Sequence, residues 1–228
     1  MNPIVLLHGC GGSRESTFVA TGWLSALSNA GRNAVAIDLP GHGTRSVSRD
    51  PASYADLTGL LTDDLPPGSF DAIGYSLGAK LLLELAIRAP ERIGRLVLAG
   101  IGDNVFAPES IAEAAARALE HGPTPETPPP VVAFLQTWES GHNDPLAIAA
   151  VLRRPPNPTF TAARLKRIAA PVLIVNGDLD PVIRLGNRLA SSLADVRCVT
   201  LPGVDHFALP AQPAFIGHAL DFLKESVT

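Results

Sequence analysis

The chain has 228 residues and a mass of 23.8 kDa, about 104 Da per residue, so its side chains are small: 32 are alanine and aromatics make up 5%. At 46% hydrophobic and 18% charged it cannot be a disordered chain, which would be poor in apolar groups and rich in charge. A net charge of −4 offers no electrostatic footprint for DNA or RNA. No apolar stretch approaches the roughly 18 residues that a bilayer crossing needs, and the short run from Ile4 to Leu7 does not make a signal peptide. A soluble, cytoplasmic protein is expected, with no nucleic-acid or membrane partner. Its length suits one domain, or one domain carrying an insertion.

In chain order, a first apolar run at residues 3–7 is followed by a helical pattern over 17–30 that Gly31 closes. A second run at 33–37 and a helical pattern over 51–65 come next, then a third run at 70–74. The following helix, 77–89, sets Leu77, Leu81 and Leu85 at i, i+4 and i+8, a buried stripe, and Pro90 ends it. A fourth run covers 95–99. Two more, at 172–176 and 196–201, alternate with helical patterns over 182–193 and 212–226. Short continuous Val, Ile and Leu runs suit strands covered on both faces, and strand–helix alternation is the mark of an open α/β fold.

Between Gly100 and Ala170 the alternation stops for about seventy residues, too many for a structureless loop. Ten of the chain's 21 prolines fall here, between Pro108 and Pro158. Helical patterns over 109–121, 131–139 and 145–153 suggest a small helical insertion at one edge of the core. The expected division is a core of residues 1–103 and 169–228 with an insertion over 104–168.

Gly74-Tyr75-Ser76-Leu77-Gly78 stands where the third strand turns into a helix. Taken alone G-x-S-x-G is a weak signal, but this context gives it content. Glycines two positions either side remove the Cβ atoms that would clash in so cramped a turn. The serine hydroxyl is then held out at the carboxyl end of the sheet, where open α/β sheets bind ligands and helix N–H groups favour negative charge. A serine nucleophile needs a base held by a third group. Asp178 and Asp180 follow the fifth strand, and Asp205 and His206 follow the sixth. All therefore lie on the same edge as Ser76, in the order Ser, Asp, His.

These pieces resemble the α/β-hydrolase fold family. The matching motifs are His8-Gly9-Cys10-Gly11-Gly12, Asp38-Leu39-Pro40-Gly41-His42-Gly43, the Gly74–Gly78 turn, Gly177-Asp178-Leu179-Asp180 and Gly203-Val204-Asp205-His206. The family's pattern begins with two further strands, missing here, so the first run corresponds to its third. The resemblance implies a three-layer α/β-hydrolase fold: six mostly parallel strands in the order 2-1-3-4-5-6, helices on both faces and a helical cap. It also implies Ser76 as nucleophile, His206 as base and Asp180 as the residue orienting it, by the family's G-x-x-D spacing. The backbone N–H groups of Cys10 and Leu77 would form the oxyanion hole.

Asp178, Asp103 (where a minority of the family keeps its acid) and Asp205 are rivals to Asp180. His8 and His42 are expected to brace their own glycine-rich loops, and His121, His142 and His218 to lie on the surface or cap. Phe134, Trp138 and His142 fall at i, i+4 and i+8 and could roof a substrate pocket beside Tyr75. Cys10 and Cys198 would sit four strand spacings of about 4.8 Å apart, too far for a disulfide. H-E-x-x-H, paired cysteines at zinc spacing and the G-x-x-x-x-G-K-[ST] loop are all missing from the sequence, so no metal or other cofactor is expected. The expected activity is hydrolysis of a small acyl substrate (a carboxylic ester, thioester or lactone) through an acyl-enzyme. A lyase using the same three side chains, as in a step of menaquinone synthesis, and a small-molecule receptor are the alternatives.

Overall fold

The computed structural model describes residues 2–45, 47–107, 111–140 and 143–224, with only the backbone of Thr137, Glu139 and Ser140. Six strands, β1 (Ile4–Leu7), β2 (Ala34–Ile37), β3 (Phe70–Tyr75), β4 (Ile93–Ala99), β5 (Val172–Gly177) and β6 (Val196–Leu201), form one sheet in the order β2-β1-β3-β4-β5-β6. Every pairing is parallel, as the sequence predicts. Period-two alternation sends Val5, Leu7, Ala72, Leu96, Leu98 and Ile174 to one face, against α2 (Leu77–Arg88). Ile4, Leu6, Ile73, Val97, Leu173 and Val175 face the other way. They meet Trp23 and Leu27 of α1 (Trp23–Asn29) and Phe215 and Phe222 of the C-terminal helix, Pro213–Lys224. The inner strands β1, β3, β4 and β5 are buried on both faces, hence their largely apolar character, whereas the edge strand β6 is mostly exposed.

Between β4 and β5 lie α3 (Ala112–His121), α4 (Pro129–Ser140), α5 (Pro145–Arg153) and the single turn α6 (Ala162–Leu165). Prolines open α4 and α5, where a missing N–H costs nothing. Asp144 caps α5, its Oδ1 accepting from Leu146 N–H at 2.9 Å. The first three helices share an apolar cluster of Ala115, Ala118, Val131, Phe134 and Ile148.

Three expected helices differ. The pattern over 17–30 divides at Gly22, whose φ of 87° separates a π-helical turn, Glu15–Val19, from α1. Residues 51–65 form two 3₁₀ turns, Pro51–Tyr54 and Gly59–Asp64. Between them the Asp56 carboxylate takes the Gly59 N–H at 3.1 Å, a side-chain bond that competes with the helix ladder. The helix expected over 182–193 shrinks to α7 (Arg188–Ser191). The Asp180 carboxylate holds the N–H groups of Val182 and Ile183 instead, at 2.8 and 3.0 Å. The C-terminal helix is labelled α8 below.

Candidate active site

Ser76 joins β3 to α2 with φ 52° and ψ −111°, the only positive φ outside glycine among the described residues. Such a conformation stores on the order of 1–3 kcal/mol and persists only where its surroundings enforce it. Here they do. A Cβ at Gly78 would overlap the carbonyls of Leu7 and His8, and one at Gly74 would lie 2.8 Å from the Ala79 backbone. Only glycine lets α2 approach β1 this closely, and the approach turns the Ser76 side chain outward. Leu77 is the first residue of α2, so its N–H has no intrahelical acceptor.

Two loops from other strands meet this turn. His206 Nε2 lies 3.1 Å from Ser76 Oγ, and His206 Nδ1 lies 2.6 Å from Asp180 Oδ2. Both side chains are nearly inaccessible to solvent. Asp180 accepts two backbone N–H bonds through Oδ1, leaving Oδ2 for the imidazole. The carboxylate can only accept, so Nδ1 carries the imidazole proton and Nε2 is the acceptor that faces the serine hydroxyl. The Tyr75 hydroxyl donates to the His206 carbonyl at 2.8 Å and its ring lies 5.1 Å from the imidazole. Burial, then the charges of Asp180 and Asp205, pushes the Tyr75 phenol well above its ordinary range, so it remains a neutral donor.

The rival carboxylates have other work. Asp178 accepts from Gly203 N–H at 2.6 Å, Asp205 from Ala208 N–H at 2.8 Å, and Asp103 from Leu189 N–H at 2.8 Å at the start of α7. His8 and His42 cross-link two loops rather than each bracing its own alone. His8 Nε2 accepts from Leu39 N–H (2.9 Å) and Nδ1 donates to Gly9 O (2.7 Å). His42 Nε2 accepts from Gly11 N–H (3.0 Å) and Nδ1 donates to Pro40 O (3.0 Å). Burial lowers His8 to about 4 and His42 to about 3, so both are neutral. Asp38 completes the loop, taking the N–H groups of Arg14 (2.7 Å) and Thr44 (3.0 Å). His121 and His218 are exposed, and His142 lies outside the described residues.

A cavity of about 710 Å³ opens on Ser76 and His206. Cys10 and Gly12 form part of its wall, Ile183 another, and the helices between β4 and β5 supply Ala115, Phe134 and Leu152. Tyr75 and Phe134 are thus lining residues. Trp138 is not: it packs half-buried against the α3–α5 apolar cluster. The sequence reading missed Asn143, a buried side chain before α5 that reaches three backbone groups near the cavity. No motif marks it; the nearest signal is the Asp144-Pro145 helix start beside it. Cys10 is half-buried and Cys198 exposed, and the two are not joined in a disulfide.

Sheet order, the strained serine turn and the loops gathered on one edge are those of an α/β hydrolase, and the chain belongs to the alpha/beta hydrolase family, which matches residues 4–217. Among characterised proteins it is similar to the pimeloyl-[acyl-carrier protein] methyl ester esterase of Nitrosomonas europaea, 28% identical over 208 residues, covering 75% of this chain and 76% of that one. An esterase of Mycobacterium tuberculosis is 32% identical over 127 residues, covering 52% of this chain and 40% of its own length. Among solved structures, the enol-lactonase of Burkholderia xenovorans LB400 superposes with a TM-score of 0.78 at 24% identity, over 99% of this chain and 92% of that one, a likeness of fold.

Proposed function

We propose that the protein is a serine hydrolase of small acyl substrates, carboxylic esters first, with thioesters and lactones as the other candidates. The observation that carries this reading is the continuous chain from Asp180 Oδ2 through His206 to Ser76 Oγ, at 2.6 and 3.1 Å, opening on the cavity. His206 Nε2 takes the Ser76 proton as Oγ bonds to the substrate carbonyl carbon, and Asp180 stabilises the imidazolium. The N–H groups of Cys10 and Leu77 hold the oxygen that gains the negative charge. Collapse breaks the bond to the leaving group, which takes the proton from His206, and leaves an acyl-serine. Water, deprotonated by the same imidazole, releases the acid and restores Ser76. The scheme needs no cofactor.

Residues 104–168 serve as the cap in this reading, since α3, α4 and α5 supply part of the wall of the cavity that opens on the serine. The esterase name of the Nitrosomonas relative supports ester chemistry. A chain-length panel of p-nitrophenyl esters and acyl thioesters tests the reading. Wild type should turn over the shorter members, and Ser76→Ala should lose on the order of 10⁴-fold or more in kcat. An acyl adduct on Ser76 should be visible by intact mass. Full activity in Ser76→Ala would overturn the mechanism.

A further inference from the structure

Asn143 stands in the connection between α4 and α5, yet its side chain is spent far from its own segment. Nδ2 donates to Gly11 O at 2.7 Å and Gly12 O at 3.1 Å, and Oδ1 accepts from Gly43 N–H at 2.6 Å. These bonds span 100 to 132 residues of sequence and join the loops after β1 and β2. They do nothing for the start of α5, which Asp144 caps. A buried amide satisfied entirely by backbone groups of two glycine-rich loops fixes those loops relative to its own segment.

What it fixes follows from peptide planarity. The Gly9 carbonyl and the Cys10 N–H belong to one rigid plane, so holding the Gly9 oxygen sets the direction of the Cys10 N–H. Two donors hold that oxygen: His8 Nδ1 at 2.7 Å and Gly12 N–H at 3.2 Å. Asn143 in turn holds the carbonyls on either side of the Gly12 Cα. Gly11 is gripped further by His42 on its N–H and by Phe134 of α4. A Cβ at Gly11 would come within 2.7 Å of the Phe134 ring, so the ring lies directly on the loop.

We propose that Asn143 is a positioning residue, one that aims the Cys10 N–H at the developing oxyanion by holding the loops after β1 and β2 in register. The inference rests on the serine-hydrolase reading above. It predicts a loss in transition-state stabilisation with little change in ground-state binding. Losing a whole oxyanion donor costs about 10²–10³ in rate, and a donor kept but misaimed should cost about 10-fold or more.

The test compares wild type with Asn143→Ala and Asn143→Asp on one p-nitrophenyl ester. The same three proteins are titrated with a trifluoromethyl ketone, whose adduct with Ser76 carries an oxyanion in the same place. Asn143→Asp keeps an acceptor for Gly43 N–H but turns a carboxylate toward two carbonyl oxygens, so it should lose at least as much as alanine. The expected result is kcat down about 10-fold or more, KM changed less than about threefold, and ketone affinity falling in step with kcat/KM. Wild-type kcat in both variants would overturn the inference, as would a fall in kcat with ketone affinity intact. Should either variant fail to fold, Asn143→Ser, which keeps a short donor, replaces it under the same criteria. Ser76→Ala separates the two levels. If it is inactive while the Asn143 variants are normal, the positioning role alone fails. If it is fully active, the underlying mechanism fails.

Discussion

At the amino-terminal edge of the sheet, Arg32 Nη2 meets Asp71 Oδ2 at 2.5 Å, and the guanidinium also donates to Leu223 O at 2.8 Å and Asn2 O at 3.2 Å. Asp71 Oδ1 takes the Arg95 N–H at 3.0 Å. At the carboxyl-terminal edge, Asp180 is buried as deeply, but its partner is an imidazole whose other nitrogen opens on a cavity. Both edges bury a carboxylate. One neutralises it with a permanent cation and closes around it. The other leaves its proton balance adjustable, because an imidazole can gain and lose a proton where a guanidinium cannot. The first arrangement ties strands together, whereas the second can move a proton. Even the closed edge is imperfect, with Arg32 Nε buried and without a hydrogen-bond partner among the described residues.

Removing the acceptor at each edge should separate the two roles. Asp180→Asn would place an amide beside Nδ1 and favour the tautomer with its proton on Nε2, where it can no longer accept from Ser76. We expect kcat on the ester panel to fall about 10³–10⁴-fold with the urea midpoint nearly unchanged. An activity within tenfold of wild type would erase the distinction. Asp71→Asn should do the reverse, leaving the Arg32 charge buried and unbalanced at a cost of about 3–5 kcal/mol in unfolding free energy. Its kcat should match wild type at a temperature where it is fully folded. Equal stability of the two proteins by urea unfolding would show the amino-terminal pair to be dispensable.

The comparison also explains what could be read from sequence. The inner strands are legible because burial on both faces forces apolar runs, whereas their order follows from the resemblance to the hydrolase fold. The serine turn is legible because its two glycines answer a steric demand that no other residue meets. Asp180 is singled out over Asp178 by spacing alone, and its separate role becomes physical only when Asp178 is seen holding Gly203. Asn143 and the Arg32–Asp71 pair are illegible for the opposite reason. Each joins segments 39 or more residues apart through a side chain that carries no local pattern. Helices over 51–65 and 182–193 mislead because aspartates there bond to nearby N–H groups, overriding an apolar spacing that favours the helix.

The carboxyl-terminal edge should also announce itself in stability against pH, through the histidine pair that frames the site. His8 and His42 sit with ring centroids 5.2 Å apart, lowered to about 4 and about 3 by burial, from 6.5. For Asp38, burial opposes ionisation, but the Arg14 and Thr44 N–H groups and the neighbouring His8 hold its carboxyl below the usual range. As pH falls below 6.5 the unfolded chain takes up a proton at each histidine that the folded chain refuses. Stability is therefore full above about pH 7 and falls with pH, at up to about 1.4 kcal/mol per unit for each histidine. The loss tapers near pH 4 for His8 and pH 3 for His42, where the folded groups themselves protonate. Asp38 adds to it only below about pH 4, since its unfolded carboxyl titrates near 3.8. Urea unfolding between pH 7 and pH 5 covers the range in which His8 and His42 act and carboxylates contribute little. In His42→Gln the amide oxygen can still accept the Gly11 N–H, and the slope over this interval should be about halved. A flat profile in the wild type, or a slope unchanged by His42→Gln, would mean that this loop pair is hydrated and protonates as freely as in the unfolded chain.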